Sequence, residues 1–137
     1  MGLKVELKPG ERLIIGECIV TNGDQRTRLL VDGEAPILRE KDIMTPERAD
    51  TPAKRIYLAV QLMYISRNPQ AIQETYFTLM RELVQAVPSA WPHIANINQH
   101  ILGGDMYKAL KDAKLLIAYE QELLDDAKCR PSLRQSS

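Results

Sequence analysis

The sequence predicts an α+β chain: a small antiparallel β module of about five short strands over residues 1–44, then a bundle of about four helices over residues 52–128. Three observations predict it. Leu3, Val5 and Leu7 alternate with Lys4, Glu6 and Lys8, the period of a half-buried strand. Turn residues then interrupt the early chain at short intervals. From Pro52 onward the apolar residues switch to three- and four-residue steps, the helical period. Strands first and helices afterwards mark a segregated layout rather than alternating βαβ units.

Each element has its own signal. Pro9-Gly10 ends the first strand, because Pro presets φ and Gly accepts a positive one. Leu13, Ile14 and Ile15 make a second strand, ended by Gly16. Cys18 to Thr21 is a third, with Cys18 as a small buried hydrophobe. Asn22-Gly23-Asp24 is a strong hairpin signal. Arg28 to Val31 is the fourth strand, Asp32-Gly33 a second hairpin turn, and Ile37-Leu38 the fifth strand. Short strands at this spacing predict a meander or a small barrel-like sheet.

Thr45-Pro46-Glu47 and Thr51-Pro52 both carry a helix-start pattern, Thr as N-cap and Pro at the first helical position. Ile56, Ala59, Val60, Met63 and Tyr64 continue from the second. Asn68-Pro69 starts another helix, carrying Ile72, Tyr76, Leu79, Met80 and Leu83, and Pro88 stops it. Ser89 is placed to cap a shorter helix with Ile94, Ile97, Ile101 and Leu102, broken by Gly103-Gly104. The last helix starts near Asp105 and runs through Leu116 and Tyr119 to Leu123-Leu124. Residues 129–137 are polar and read as a flexible tail.

Composition excludes several classes. The 137 residues are 45% hydrophobic, enough for one compact core or two small substructures that share one. Eighteen Lys+Arg against 18 Asp+Glu leave no net charge, which excludes a broad cationic coat for nucleic acid but not a local patch. Cys18 and Cys129 form no Cys-x-x-Cys pair and read as reduced thiols. No stretch approaches the ~20 apolar residues of a membrane span. The expected place is the cytoplasm, with no membrane contact.

Catalytic patterns are missing from the sequence. Gly103-Gly104-Asp105 follows no strand and precedes no Lys, so it is not a phosphate loop. No serine lies in a nucleophile elbow. His93 and His100 sit two helical turns apart, about 10 Å of rise, too far for one metal on a straight helix. Glu120, Glu122 and Asp125-Asp126 read as a solvated helix end. The expectation is a non-enzyme with no catalytic residue, cofactor or metal.

Two binding chemistries remain. Lys4 and Lys8 share one face of the first strand, Arg26 and Arg28 one face of the fourth, Arg12 starts the second, and Arg39 and Lys41 end the fifth. If the first and fifth strands are neighbours, their cations form one patch suited to single-stranded RNA. No aromatic residue occurs among the first fifty, so stacking platforms are lacking there. The helical half holds Trp91 and all five Tyr, residues that serve either a core or a partner-binding groove.

Gly10-Glu11-Arg12-Leu13-Ile14-Ile15-Gly16, then Ala35-Pro36, then Leu38-Arg39-Glu40-Lys41-Asp42-Ile43 resemble the CsrA family of RNA-binding regulators. That resemblance implies RNA contacts from the first strand and from the arginine of the last, which is Arg39 here. The paired arginines before the first glycine are Leu7-Lys8, and the histidine before the last-strand arginine is Leu38.

Leu7-Lys8-Pro9-Gly10-Glu11, Asn22-Gly23-Asp24, Ile37 through Met44, Thr51-Pro52-Ala53-Lys54-Arg55-Ile56-Tyr57 and Gln61-Leu62-Met63-Tyr64 resemble the FlbT family of flagellar-biosynthesis repressors over nearly the whole chain. The resemblance implies a post-transcriptional regulator that binds the 5′ leader of flagellin mRNA and represses its translation. It implies work alongside a FlaF-type regulator. The expected RNA contacts are Lys8, Arg39 and Lys41, with Arg12, Arg28 and Lys4 secondary. Open strand edges would pair in a homodimer through the β module. The rival expectation is a protein-binding adaptor for flagellin, a chaperone or a FlaF-type partner, acting on mRNA only indirectly.

Overall fold

The computed structural model describes residues 2–66 and 68–128. Five strands come first: β1 (Leu3–Leu7), β2 (Arg12–Ile15), β3 (Cys18–Thr21), β4 (Thr27–Val31) and β5 (Ile37–Arg39). Four α-helices follow: α1 (Pro52–Ile65), α2 (Gln70–Ala86), α3 (Trp91–Leu102) and α4 (Met106–Lys128). The chain is therefore α+β. The described residues fall into two compact units, residues 2–43 with 64–66, and residues 44–63 with 68–128. The tail at 129–137, with Cys129, lies outside the described residues.

The strands do not form a meander, the first of the two arrangements expected. β1 pairs with β4 in one antiparallel sheet, and β3-β2-β5 form a second. Only β2 and β3 are joined as a hairpin. Ile15 faces Cys18 across Gly16-Glu17, and Gly16 has φ 60° at the first central position, where a II′ turn needs glycine. The hairpin raises Cys18 to the surface instead of burying it, because β3 is an edge strand.

The Asn22-Gly23-Asp24 signal does not make a hairpin either, since β3 and β4 lie in different sheets. Asn22 works at longer range. Its Nδ2 donates to the carbonyls of Leu7 (3.2 Å), Lys8 (2.8 Å) and Gln25 (2.8 Å). The Gly10 amide donates to the Gly23 carbonyl at 3.0 Å. The Pro9-Gly10 turn is thus tied to the β3–β4 connection. Asp32-Gly33 likewise links strands of different sheets. The apolar faces of both sheets meet in one core, where Val5, Leu7 and Leu13 are buried against Ile15, Val20, Leu29, Val31 and Ile37. Tyr64 belongs to this unit too. Its hydroxyl donates to the Ile37 carbonyl and accepts from the Ile37 amide, at 3.2 and 3.3 Å.

In the helical unit, Thr51 caps α1 by accepting the Lys54 amide at 3.3 Å. Thr45-Pro46 closes only a single turn, with the Ala49 amide on the Thr45 carbonyl at 3.0 Å, and does not propagate. Buried Gln61 pairs its amide with both backbone groups of Met44, at 2.7 and 2.9 Å. Ser89 is not a helix cap. It sits in a 3-10 turn, Pro88–Ala90, and accepts the Tyr119 hydroxyl at 2.5 Å.

The α3–α4 hairpin is closed by a Schellman turn. The Asp105 amide bonds the His100 carbonyl at 2.8 Å and the Gly104 amide the Ile101 carbonyl at 3.1 Å, with Gly104 at φ 79°. Asp105 then caps α4 through the Lys108 amide at 3.2 Å. Leu102, expected on the apolar face, is 86% exposed at the helix end. Ile94 and Ile97 pack into the core that also buries Ala109, Leu110, Ala113 and Leu116. Tyr76 is buried, and its hydroxyl donates to Asn98 Oδ1 at 2.6 Å. Burial pushes its phenol pKa well up.

Candidate nucleic-acid interface

The cations of the β unit are placed by strand register. In the β1–β4 ladder Glu6 faces Arg28 and Lys4 faces Leu30. Val5 and Leu7 point into the core, so Lys4, Glu6, Arg28 and Leu30 lie on the outward face. Lys4, Glu6, Arg28 and Leu30 line one recess of about 410 Å³ with the backbone between them. Among the described residues, the side chains of Lys4, Lys8, Arg28 and Lys41 take part in no ion pair.

β1 and β5 are not neighbours in a sheet, contrary to the condition set for one patch. β5 pairs with β2, and Leu13 faces Arg39. Arg39 closes the gap with its side chain instead, donating from Nη2 to the Glu6 carbonyl at 3.1 Å. Arg26, which was not among the expected contacts, meets the Glu6 carboxylate at 3.4 Å. Glu6 is therefore the centre of a cluster: Arg39 on its carbonyl, Arg26 on its carboxylate, Arg28 across the ladder and Lys4 two residues back. The alternation of β1 and the Arg26/Arg28 spacing gave parts of this cluster, and only the register of β4 with β1 brings Arg26 to Glu6.

The other three expected residues lie elsewhere. Arg12 pairs with Glu40 at 3.4 Å through both its backbone amide and Nε, and Lys41 follows Glu40 in a 3-10 turn, Glu40–Asp42. Lys8 sits in the Pro9-Gly10 turn, where its carbonyl accepts the Glu11 amide at 3.0 Å and its amide donates to Glu11 Oε1 at 2.8 Å. Residues 2–43 hold seven Lys+Arg against eight Asp+Glu. Any affinity for phosphate must come from placement, not from net charge.

In the helical unit the two histidines are separated in role. His100 Nδ1 bonds Asp112, and the His93 ring stacks on Tyr119 at 4.9 Å. Among the described residues no three His, Cys, Asp or Glu side chains come together as a metal site. No described helix is long and apolar enough to cross a membrane. Tyr57 and Tyr76 are core residues, whereas Trp91 is 50% and Tyr107 44% exposed.

The profile of the family described as Flagellar protein FlbT matches residues 3–124. The chain is 65% identical over 124 residues to the probable flagellum biosynthesis repressor protein FlbT 1 of Bradyrhizobium diazoefficiens, covering 90% of this chain and 85% of that protein. It is 53% identical over 124 residues to the probable flagellum biosynthesis repressor protein FlbT of Rhodopseudomonas palustris (strain TIE-1), covering 90% and 98%. It is 38% identical over 127 residues to the flagellum biosynthesis repressor protein FlbT of Caulobacter vibrioides, covering 90% of each. No solved structure matches it. By the extent of the profile and of these identities, the chain belongs to the Flagellar protein FlbT family.

Proposed function

We propose that this protein is a non-catalytic repressor of flagellum biosynthesis that acts after transcription in the cytoplasm, binding the 5′ leader of flagellin mRNA through the outward face of β1 and β4. The names of its relatives support the regulatory role. The cluster of Lys4, Arg26, Arg28 and Arg39 around Glu6 carries the RNA reading. Lys and Arg there would hold phosphates, while the recess between them, with its apolar Leu30 and the Glu6 acceptor, would take a base edge. Lys8 and Lys41 would extend the track, and a FlaF-type regulator or a second copy would join through other surfaces.

The test is binding of the purified protein to a labelled flagellin leader and to a scrambled leader at two salt concentrations. If Lys4, Lys8, Arg28 and Lys41 each neutralise one phosphate, log K should fall with log salt at a slope of about −3. Selective binding with that slope supports the reading. A well-folded sample that prefers neither RNA rejects it. The second reading is a protein adaptor for flagellin, a chaperone or a FlaF-type partner. It is favoured by the seven-to-eight charge balance of residues 2–43, and it predicts partner binding that salt barely changes.

A further inference from the structure

We propose that the helical unit carries a docking groove for a basic amphipathic helix of a partner protein. The groove follows from unequal helix lengths. α3 has 12 residues and α4 has 23, so α4 runs on for about 16 Å after α3 has ended. Leu123 and Leu124 of this overhang, with Leu116 just before it, line one space together with Leu83, Ala86 and Val87 at the end of α2 and Pro52. The space is about 280 Å³ and its walls are almost wholly apolar. An apolar space of this size suits the anchor side chains of a helix laid along it.

Charge selects the occupant. Glu82 and Glu120 both line the groove, and the Glu120 carboxylate also accepts the Ala53 amide at 3.0 Å. Of the acidic residues near the end of α4, Glu120 lines the groove, and Glu122, Asp125 and Asp126 follow it in sequence between Lys114 and Lys128. A second copy docking by the same surface would oppose carboxylate to carboxylate. RNA and anionic lipid are repelled in the same way. A helix with apolar residues at i, i+3, i+4 and i+7, flanked by Lys or Arg, matches both the walls and the rim. This inference rests on the helical unit alone and stands whether or not the β unit binds RNA.

The experiment uses the full chain and two labelled helical peptides with the same apolar stripe, one flanked by lysines and its twin by glutamates. Fluorescence anisotropy should show the lysine peptide binding at least about tenfold tighter than its twin at low salt. Leu124→Lys, on a side chain already 45% exposed, should weaken that binding about tenfold. Ala86→Phe, which fills the groove from α2, should do the same. Circular dichroism melts like the parent's establish that both variants fold. Equal binding of the two peptides overturns the proposal, as does full binding by folded Leu124→Lys and Ala86→Phe. Binding that needs removal of residues 129–137 assigns the groove to the chain's own Arg130, Leu133 and Arg134, and a dimer abolished by Leu124→Lys assigns it to a second copy. Either result also overturns it.

Discussion

Arg39→Ala should loosen β1 without unfolding the helices. The guanidinium donates to the Glu6 carbonyl at 3.1 Å, across from the β2–β5 sheet to the β1–β4 sheet. The bond is exposed, so its worth sits at the low end for a charged donor, about 1 kcal/mol. Water reaches the freed carbonyl, so no buried orphan adds to the loss. A change of about 1 kcal/mol raises the local opening equilibrium about fivefold. Native-state hydrogen exchange reads this directly. Amides of β1 and β4 should exchange about fivefold faster, while those of α3 and α4 keep their protection. Arg39→Lys keeps the charge on a shorter side chain that does not reach as far as Nη2, so it separates the bond from the charge. It should exchange like the alanine variant while retaining most of any RNA affinity. Unchanged protection of β1 in Arg39→Ala would refute the tie between the sheets, and a uniform rise over the whole chain would refute its being local. The same data bear on RNA binding, because an affinity loss in Arg39→Ala would include the cost of a misplaced Lys4 and Arg28.

Asn22→Ala should lower stability by about 2 kcal/mol, because three backbone carbonyls lose the donor they share. Chemical denaturation checks this, and a loss under about 0.5 kcal/mol would show that water replaces the amide freely. Tyr76→Phe should cost about 1–2 kcal/mol by leaving Asn98 Oδ1 without its phenol donor. Burial raises the folded pKa of Tyr76, so above the ordinary tyrosine value, about 10, the unfolded chain ionises first and stability falls as pH rises. Thermal melts from pH 8 to 11 should show this alkaline loss in the parent but not from this site in Tyr76→Phe.

The helices were legible because their signals are local. Thr51-Pro52 and Asp105 cap where they stand in sequence, and Gly104 takes the backbone conformation that ends α3. The strands were legible singly but not in their pairing. Asn22-Gly23 has the composition of a hairpin turn, yet the Asn22 amide is drawn to Leu7 and Lys8, about fifteen residues back, and β4 pairs with β1 instead of β3. The cation cluster depends on the same non-local register. Arg39 and Glu6 are 33 residues apart, and Arg26 reaches Glu6 only because β4 lies against β1. Ser89 had the position of a cap, but its hydroxyl serves Tyr119, 30 residues later. Cys18 belongs to a residue type that is usually buried, and the edge position of β3 overrides that preference.

Asn22-Gly23 also sets a chemical clock. A glycine amide offers little steric hindrance to attack on the preceding side-chain carbonyl carbon, the first step of spontaneous deamidation, and here the Gly23 amide donates to Asn22 Oδ1 at 2.9 Å, beside that carbon. Conversion of Asn22 to a carboxylate would replace the one donor shared by the Leu7, Lys8 and Gln25 carbonyls with a negative charge facing them. Stored protein would thus accumulate an acidic isoform whose β1 end is frayed and whose helices are intact. Ion-exchange separation of the isoforms belongs before any comparison of RNA affinities between preparations of different age.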